Sequence, residues 1–191
     1  MNKKLFVISG CSGVGKGTVL KEFMARNSDD FMLSVSCTTR KPRVGEVDGV
    51  NYFFLTHEEF EKAVQEDKFL EHAQFAGNFY GTKKKFIKQK FEEGLNIILE
   101  IETQGALQVK SKMPEAVLIF IAPPGQGVDE LEKRLRGRNT EDEETIQRRL
   151  AEAKVELERA KQYDYVVVND DLEHAINEVE EITRKELGLN A

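Results

Sequence analysis

The stretch S-G-C-S-G-V-G-K-G-T, residues 9–18, follows directly on an apolar run at residues 5–8 and constrains the fold more than any other part of the chain. Its spacing is G-x-x-x-x-G-K, from Gly10 to Lys16, between a strand-like run and a helix-like one. Glycines let the backbone curl until its N–H groups converge on phosphate oxygens, and the helix that follows turns its N-terminus to the same spot. Lys16 supplies a charge for the β and γ phosphates. Gly10, Cys11, Ser12, Gly13, Val14, Gly15, Lys16, Gly17 and Thr18 are therefore the candidate ATP loop. The common loop places a hydroxyl for Mg²⁺ directly after the lysine. Here that position is Gly17, so Thr18, one place late, is expected to share Mg²⁺ with water. Cys11 lies near a helix N-terminus and a lysine, which would lower a thiol pKa, but it reads first as a small packing residue.

The rest of the chain supplies the sheet that such a loop needs. Residues 5–8, 97–101, 117–121 and 165–168 are apolar runs with little alternation, as in parallel strands buried on both faces. Helical periodicity covers residues 17–26, 82–93, 103–112, 129–137, 141–162 and 171–187. In the longest of these, Ile146, Leu150, Ala153, Leu157 and Ala160 form one stripe, and Thr140 with Glu143 predicts a capping box. Asp170 with Glu173 predicts the start of the last helix, and Thr56 with Glu59 caps a further one. Residues 34–80 break the rhythm with β-formers, aromatics and turn glycines, while residues 124–140 are dense in arginine. The expected fold is α/β. A core with a parallel sheet flanked by helices takes residues 1–34, 94–123 and 141–191, a β-rich insert takes 35–93, and a small helical lid takes 124–140.

At 191 residues, one domain with inserted lobes is the expected scale. The first residues carry an apolar run too short for a signal-peptide core or a membrane span, so no membrane partner is expected and the chain reads as cytoplasmic. A net charge of −6 argues against a nucleic-acid partner. Cys11 and Cys37 make neither a disulfide framework nor a metal-ligand spacing. The lysines at 83–85, 88 and 90 read as a solvated helix face, and self-association as a homo-oligomer stays open.

Arg40 and Arg43 flank Lys41 and Pro42, and two guanidinium forks three residues apart on a turn suit bidentate phosphate binding. Tyr52 and Tyr80 can add phenolic hydrogen bonds. For either arginine alone, a solvated surface position is the competing reading. The segments SVSCTTRKPRVGEVDGVNYFF, FLEHAQF, NFYGT, LEIETQGA, FIAPP, RLRGRNTEDEE and VVVNDDL, in this order, resemble those of guanylate kinases over about residues 4–187. The G-K-G-T form of the loop is likewise similar to that of nucleoside monophosphate kinases. The resemblance implies a P-loop kinase core, with the insert as a GMP-binding part. Carried over, Ser36, Arg40, Arg43, Tyr52, Glu71, Tyr80, Thr82 and Glu100 would bind GMP. Arg40, Arg43, Tyr52 and Tyr80 would hold its phosphate, and Glu71 with Ser36 and Thr82 would read the base. Lys16, Arg43, Arg138 and Arg149 would be the catalytic charges, and Asn169 and Asp170 would touch the adenine of ATP. From the residues alone, the last two are a strand-end turn and helix cap.

Elementary chemistry stands beside these assignments. Guanine presents two donors on one edge, N1–H and the 2-amino group, to the two parallel acceptors of a carboxylate, whereas adenine has no donor at N1. Without the resemblance, FLEHAQF reads equally as a strand with its polar face in water, and His72 as a surface or packing residue. The attacking group is already an anionic phosphate, so catalysis is positioning and charge neutralisation without a general base. Arg134 and Arg138 would share a helix face; Arg134 and Arg136 read as solvated and stay outside the catalytic set. Glu100 and Glu102, two apart at a strand end, would point the same way into the crevice of the sheet. The family more often has Asp at the second position, so the longer Glu102 favours a water-mediated contact, and Thr18 and Glu102 are the metal candidates. Two further departures are APPGQGVDEL, about two residues longer than the usual linker to the lid, and Cys11 in place of a common proline.

The expected activity is transfer of the γ-phosphoryl group of ATP, as its Mg²⁺ complex, to GMP and secondarily dGMP, giving ADP and GDP. A scaffold module that reuses the GMP pocket for a phosphorylated peptide is the alternative from another class. Such modules usually lack a complete ATP loop, and here Gly15, Lys16, Arg138 and Arg149 are all present. A kinase for another monophosphate is a third reading, against which Glu71 and Ser36 argue.

Overall fold

The computed structural model describes residues 3–75, 77–126, 128–137 and 142–189. In chain order the first half forms β1 (Leu5–Gly10), α1 (Lys16–Arg26), β2 (Phe31–Leu33), β3 (Cys37–Thr38), β4 (Phe53–Phe54), α2 (His57–Gln65), β5 (Phe69–Phe75), β6 (Asn78–Lys83) and α3 (Lys84–Glu92). The second half forms β7 (Asn96–Glu100), α4 (Thr103–Lys112), β8 (Val117–Ala122), α5 (Asp129–Gly137), α6 (Glu143–Ala160), β9 (Tyr165–Val168) and α7 (Leu172–Glu186).

The four apolar runs become strands of one sheet, ordered β2-β7-β1-β8-β9 with every neighbouring pair parallel. Alternate residues of β1 supply the two faces. Phe6 and Ile8 pack with Phe23, Leu150 and Ile176 from α1, α6 and α7, while Leu5 and Val7 pack with Ile87 and Val109 from α3 and α4. Both faces are thereby dry, which is why these strands read as continuous apolar runs. β2 is a three-residue edge strand, too short to leave a pattern in the sequence. The order in which the chain adds strands reverses around β1, and the carboxyl ends of β1, β7 and β8 open the crevice where such sheets bind ligands.

The β-rich stretch forms a second sheet, ordered β4-β3-β6-β5. Beneath it Phe60 of α2 stacks on Phe69 at 4.5 Å and on Phe79 at 5.5 Å, with Cys37 buried beside them. α2 begins at the expected capping box: Thr56 Oγ1 accepts the Glu59 N–H at 3.1 Å and Glu59 Oε2 accepts the Thr56 N–H at 2.8 Å. Other boundaries move. α3 starts at Lys84 rather than 82, because Thr82 and Lys83 are paired with Glu71 and Phe69 of β5. α6 is capped by Asp142, which accepts the Thr145 N–H at 2.8 Å; the expected cap Thr140 lies outside the described residues. α7 is capped by Asp171, accepting from His174 N–H at 3.0 Å, because the Asp170 carboxylate is taken by the Asp171 N–H at 2.7 Å. Among the described residues no helix is long and apolar enough to cross a membrane.

Gly10 closes β1 against β8, and a methyl group built there would stand 2.5 Å from the Ile121 carbonyl oxygen. Backbone in a central strand cannot move aside, so Gly10→Ala is expected to destabilise the fold by about 1–3 kcal/mol in urea unfolding. An unchanged midpoint would contradict this packing.

Candidate active site

The loop after β1 turns through two left-handed glycines, Gly13 at φ +89° and Gly15 at φ +97°, and the Val14 N–H closes it on the Cys11 carbonyl at 3.0 Å. Asn169, at the end of β9, donates its side-chain N–H to the Val14 carbonyl at 2.8 Å. A methyl group at Gly15 would meet that amide nitrogen at 2.7 Å, so Gly15 is required both by conformation and by space. Arg149 of α6 reaches over from the other side and donates from Nη2 to Ser12 Oγ at 2.8 Å. The loop and Glu102 line a concavity of about 390 Å³, with Gly17 and Thr18 exposed on the first turn of α1. Asp170 is exposed and stands 3.3 Å from the His174 ring.

A second cavity, of about 310 Å³, lies between the two sheets and is lined by Ser36, Tyr52, Glu71, Tyr80 and Glu100, with Lys16 and Glu102 at the side nearer the loop. Lys16 Nζ is 3.4 Å from Glu100 Oε1, at the junction of the two concavities. Glu100 is the last residue of β7 and Glu102 the N-cap of α4, so both reach the crevice although the strand ends between them. Glu71 and Thr82 are cross-strand partners in β5 and β6. The pairing lets Thr82 Oγ1 donate to Glu71 Oε1 at 2.7 Å, and Ser36 Oγ lies 3.3 Å from the same hydroxyl. Only 2% of Glu71 is exposed. Burial pushes its carboxyl up to about 7, against the opposing pull of Thr82 and of the Lys112 charge. Because the folded value lies above the unfolded one, this group's contribution to stability is full below pH 4.5 and is lost as pH rises through about 7.

Arg40 is held flat beside this cavity. Its guanidinium donates to both oxygens of Glu46, at 2.8 and 3.0 Å, and lies 5.5 Å from the Tyr52 ring centre, while the Tyr52 and Tyr80 rings meet edge-on at 6.1 Å. Glu46 also accepts the Arg43 N–H at 2.7 Å, and the Arg43 side chain is exposed. Arg40 holds the Glu46 carboxyl below its ordinary range. Arg138 lies outside the described residues. Arg136 pairs with Glu132 within α5 and ties that helix to α6 through Glu143, each with a contact at 2.8 Å, in keeping with a solvated face.

Two participants escaped the sequence reading. Glu46 was within the quoted R-K-P-R-V-G-E, three residues after Arg43, where a carboxylate reaches back across a turn. Glu156 sits on the apolar stripe of α6, three residues after Ala153 and four before Ala160, and is buried under the loop. Burial and the neighbouring Glu102 push its carboxyl up, with Lys16 pulling the other way. The Cys11 thiol is driven up to about 12, chiefly by burial and next by Glu156, opposite to the lowering a helix N-terminus would give. It is 1% exposed and faces the Ala153 carbonyl, a packing position. Among the described residues no three His, Cys, Asp or Glu side chains cluster as a metal cage.

Comparison with known proteins gives this geometry its context. The family model described as Guanylate kinase matches residues 2–186. A guanylate kinase of Prochlorococcus marinus subsp. pastoris is 50% identical over 95% of this chain and 97% of its own length. One of Bacillus cereus is 51% identical over 93% of this chain and 86% of its own. The crystal structure of guanylate kinase from Anaplasma phagocytophilum, 32% identical, superposes with a TM-score of 0.75 and covers 96% of this chain and 86% of that one. With its parallel sheet, phosphate loop and second sheet all inside that matched span, the chain has the P-loop kinase fold and belongs to the guanylate kinase family.

Proposed function

We propose that the loop of residues 10–18 holds ATP, that the cavity at Glu71 holds GMP, and that Lys16 stands where their phosphates meet. The chain is a guanylate kinase, transferring the γ-phosphoryl group of ATP to GMP to give ADP and GDP; dGMP, which differs only in the ribose, is a further acceptor in this proposal. The observation that carries the arrangement is the Lys16 ammonium, 3.4 Å from Glu100 and lining both cavities. One cavity has the N–H groups of a phosphate loop; the other has a buried carboxylate matched to the N1–H and 2-amino donors of guanine. Arg40, Arg43, Tyr52 and Tyr80 would take the GMP phosphate, with Ser36 and Thr82 supporting Glu71 and Glu100 completing the site.

The GMP phosphate is its own nucleophile, so these residues orient it and spread the charge of the transferring group. Lys16 and Arg149 are supported in that role by their place at the loop, and Arg43 and Arg138 complete the set in this proposal. Mg²⁺, bound together with ATP, would supply neutralisation of phosphate charge. A hard cation that keeps several waters would meet the Thr18 hydroxyl and, through water, Glu102. Asn169, which fixes Val14, and Asp170 would border the adenine. Residues 1–34, 94–123 and 141–191 would act as the ATP-holding core, with the GMP-binding part at 35–93 and the lid at 124–140 closing over it. Closure would exclude water that otherwise hydrolyses ATP.

A coupled assay of ADP release with GMP, AMP, UMP and CMP tests the reading. GMP is expected to be strongly preferred, with Lys16→Ala lowering kcat by roughly a hundredfold or more. Activity with none would leave the peptide-binding alternative, and preference for AMP would overturn the base assignment. A pH series tests Glu71. Two donors on guanine require the ionised carboxylate, so the KM for GMP is expected to fall as pH rises through about 7. The Glu71→Gln variant, which shares the titration of the GMP phosphate, should lose that step; parallel profiles for the two proteins would refute the role.

A further inference from the structure

α4 runs alongside β5, and one helix face makes the join. Gln108 donates from Nε2 to the His72 carbonyl at 2.8 Å and accepts the His72 N–H at 3.2 Å, while Lys112 Nζ donates to the Phe69 carbonyl at 3.3 Å. Phe69 and His72 bracket Glu71, so the backbone that carries the carboxyl is fastened to the helix. Gly105 lies three residues before Gln108, on the same face.

A methyl group built on Gly105 would lie 2.6 Å from Glu71 Oε2 and 3.4 Å from its Cδ, with Ile101 Cδ1 at 3.2 Å. The Ile101 methyl ends a flexible side chain and can swing away. The Glu71 carboxyl cannot easily do so, because its other oxygen is bonded to Thr82 at 2.7 Å and its strand is pinned. Gly105 itself sits inside α4, in a backbone conformation open to any residue, where alanine is the better helix former. Its lack of a side chain therefore serves space rather than backbone freedom.

We propose that Gly105 is a specificity-determining position of the nucleotide site: the room above its Cα is where the Glu71 carboxyl sits, and the Gln108 clasp fixes how far that carboxyl reaches into the cavity. The inference rests on Glu71 reading the guanine edge. A methyl group at Gly105 would turn the carboxylate out of line with two parallel N–H donors and leave the ATP loop untouched. Gly105 acts through Glu71 and is a positioning residue.

The test is steady-state kinetics of the full chain with GMP and with AMP for wild type, Gly105→Ala, Glu71→Gln and the double variant, with thermal unfolding alongside. Gly105→Ala is expected to raise the KM for GMP roughly tenfold to a hundredfold, with the KM for ATP unchanged and the preference for GMP over AMP reduced in step. In the Glu71→Gln background the same substitution should add less than about twofold. An unchanged KM for GMP in Gly105→Ala, equal rises for GMP and ATP, or penalties that multiply in the double variant would overturn the proposal while leaving the reading of Glu71 intact. A Glu71→Gln protein that keeps its full preference for GMP would overturn that reading and the proposal together. If Gly105→Ala does not fold, the melting temperature decides. Glu71→Ala clears the space, so Glu71→Ala/Gly105→Ala should melt at or above Glu71→Ala alone. A lower value would place the conflict elsewhere and overturn the proposal.

Discussion

Burying a carboxyl group raises the free energy of its charged form unless donors replace the water it loses, and the Glu71 carboxyl, 2% exposed, has the Thr82 hydroxyl at 2.7 Å on one oxygen while the other stands against Gly105 in the cavity wall. The surroundings follow from that arrangement. Thr82 must face Glu71, so β5 and β6 pair in this register. β5 must not drift, so Gln108 and Lys112 hold its backbone from α4. The helix must come close enough for that clasp, so its residue opposite the carboxyl has no side chain. An acceptor kept short of donors favours a ligand that brings two of them, and discriminates against one that brings none.

The phosphate loop obeys a similar logic with the opposite charge. Its N–H groups need an anion and a fixed curl. Asn169 sets the curl through Val14, and Arg149 adds a guanidinium at Ser12. Lys16 joins the two halves through Glu100, which keeps the ammonium between the cavities. Glu46 does for Arg40 what Glu100 does for Lys16, holding a cation flat and extended beside the site. In both cases a carboxylate occupies the charge without covering the whole donor set, which would leave the remaining N–H groups to the phosphates of the proposed substrates.

Most of the core was legible in the sequence because its signals are local. Runs such as residues 117–121 are apolar on both faces only in a parallel sheet, and G-x-x-x-x-G-K after a strand has few other physical meanings. The helix caps were legible where one candidate stood alone, as at Thr56, and shifted where two acids adjoin, as at Asp170 and Asp171. The cavity at Glu71 was not legible from periodicity at all. FLEHAQF mixes apolar and polar residues like any half-exposed strand, and its Glu71 is buried between Thr82 of β6 and α4, more than thirty positions on. Glu156 and Gly105 stayed hidden for the same reason: their neighbours Glu102 and Glu71 lie far away in the sequence and leave no spacing to read, whereas Glu46 meets Arg40 and Arg43 across a single turn and is a local signal that the arginine pair overshadowed.

In the proposed site the Glu71 carboxyl, pushed up to about 7 by burial, ionises when guanine enters. Calorimetric titration of GMP into the protein at pH 6, repeated in buffers of different ionisation enthalpy, counts the protons exchanged on binding. With its carboxyl at about 7, wild type should release close to one more proton per GMP than Glu71→Gln, the titration of the GMP phosphate being common to both. Equal proton counts for the two proteins would contradict the account.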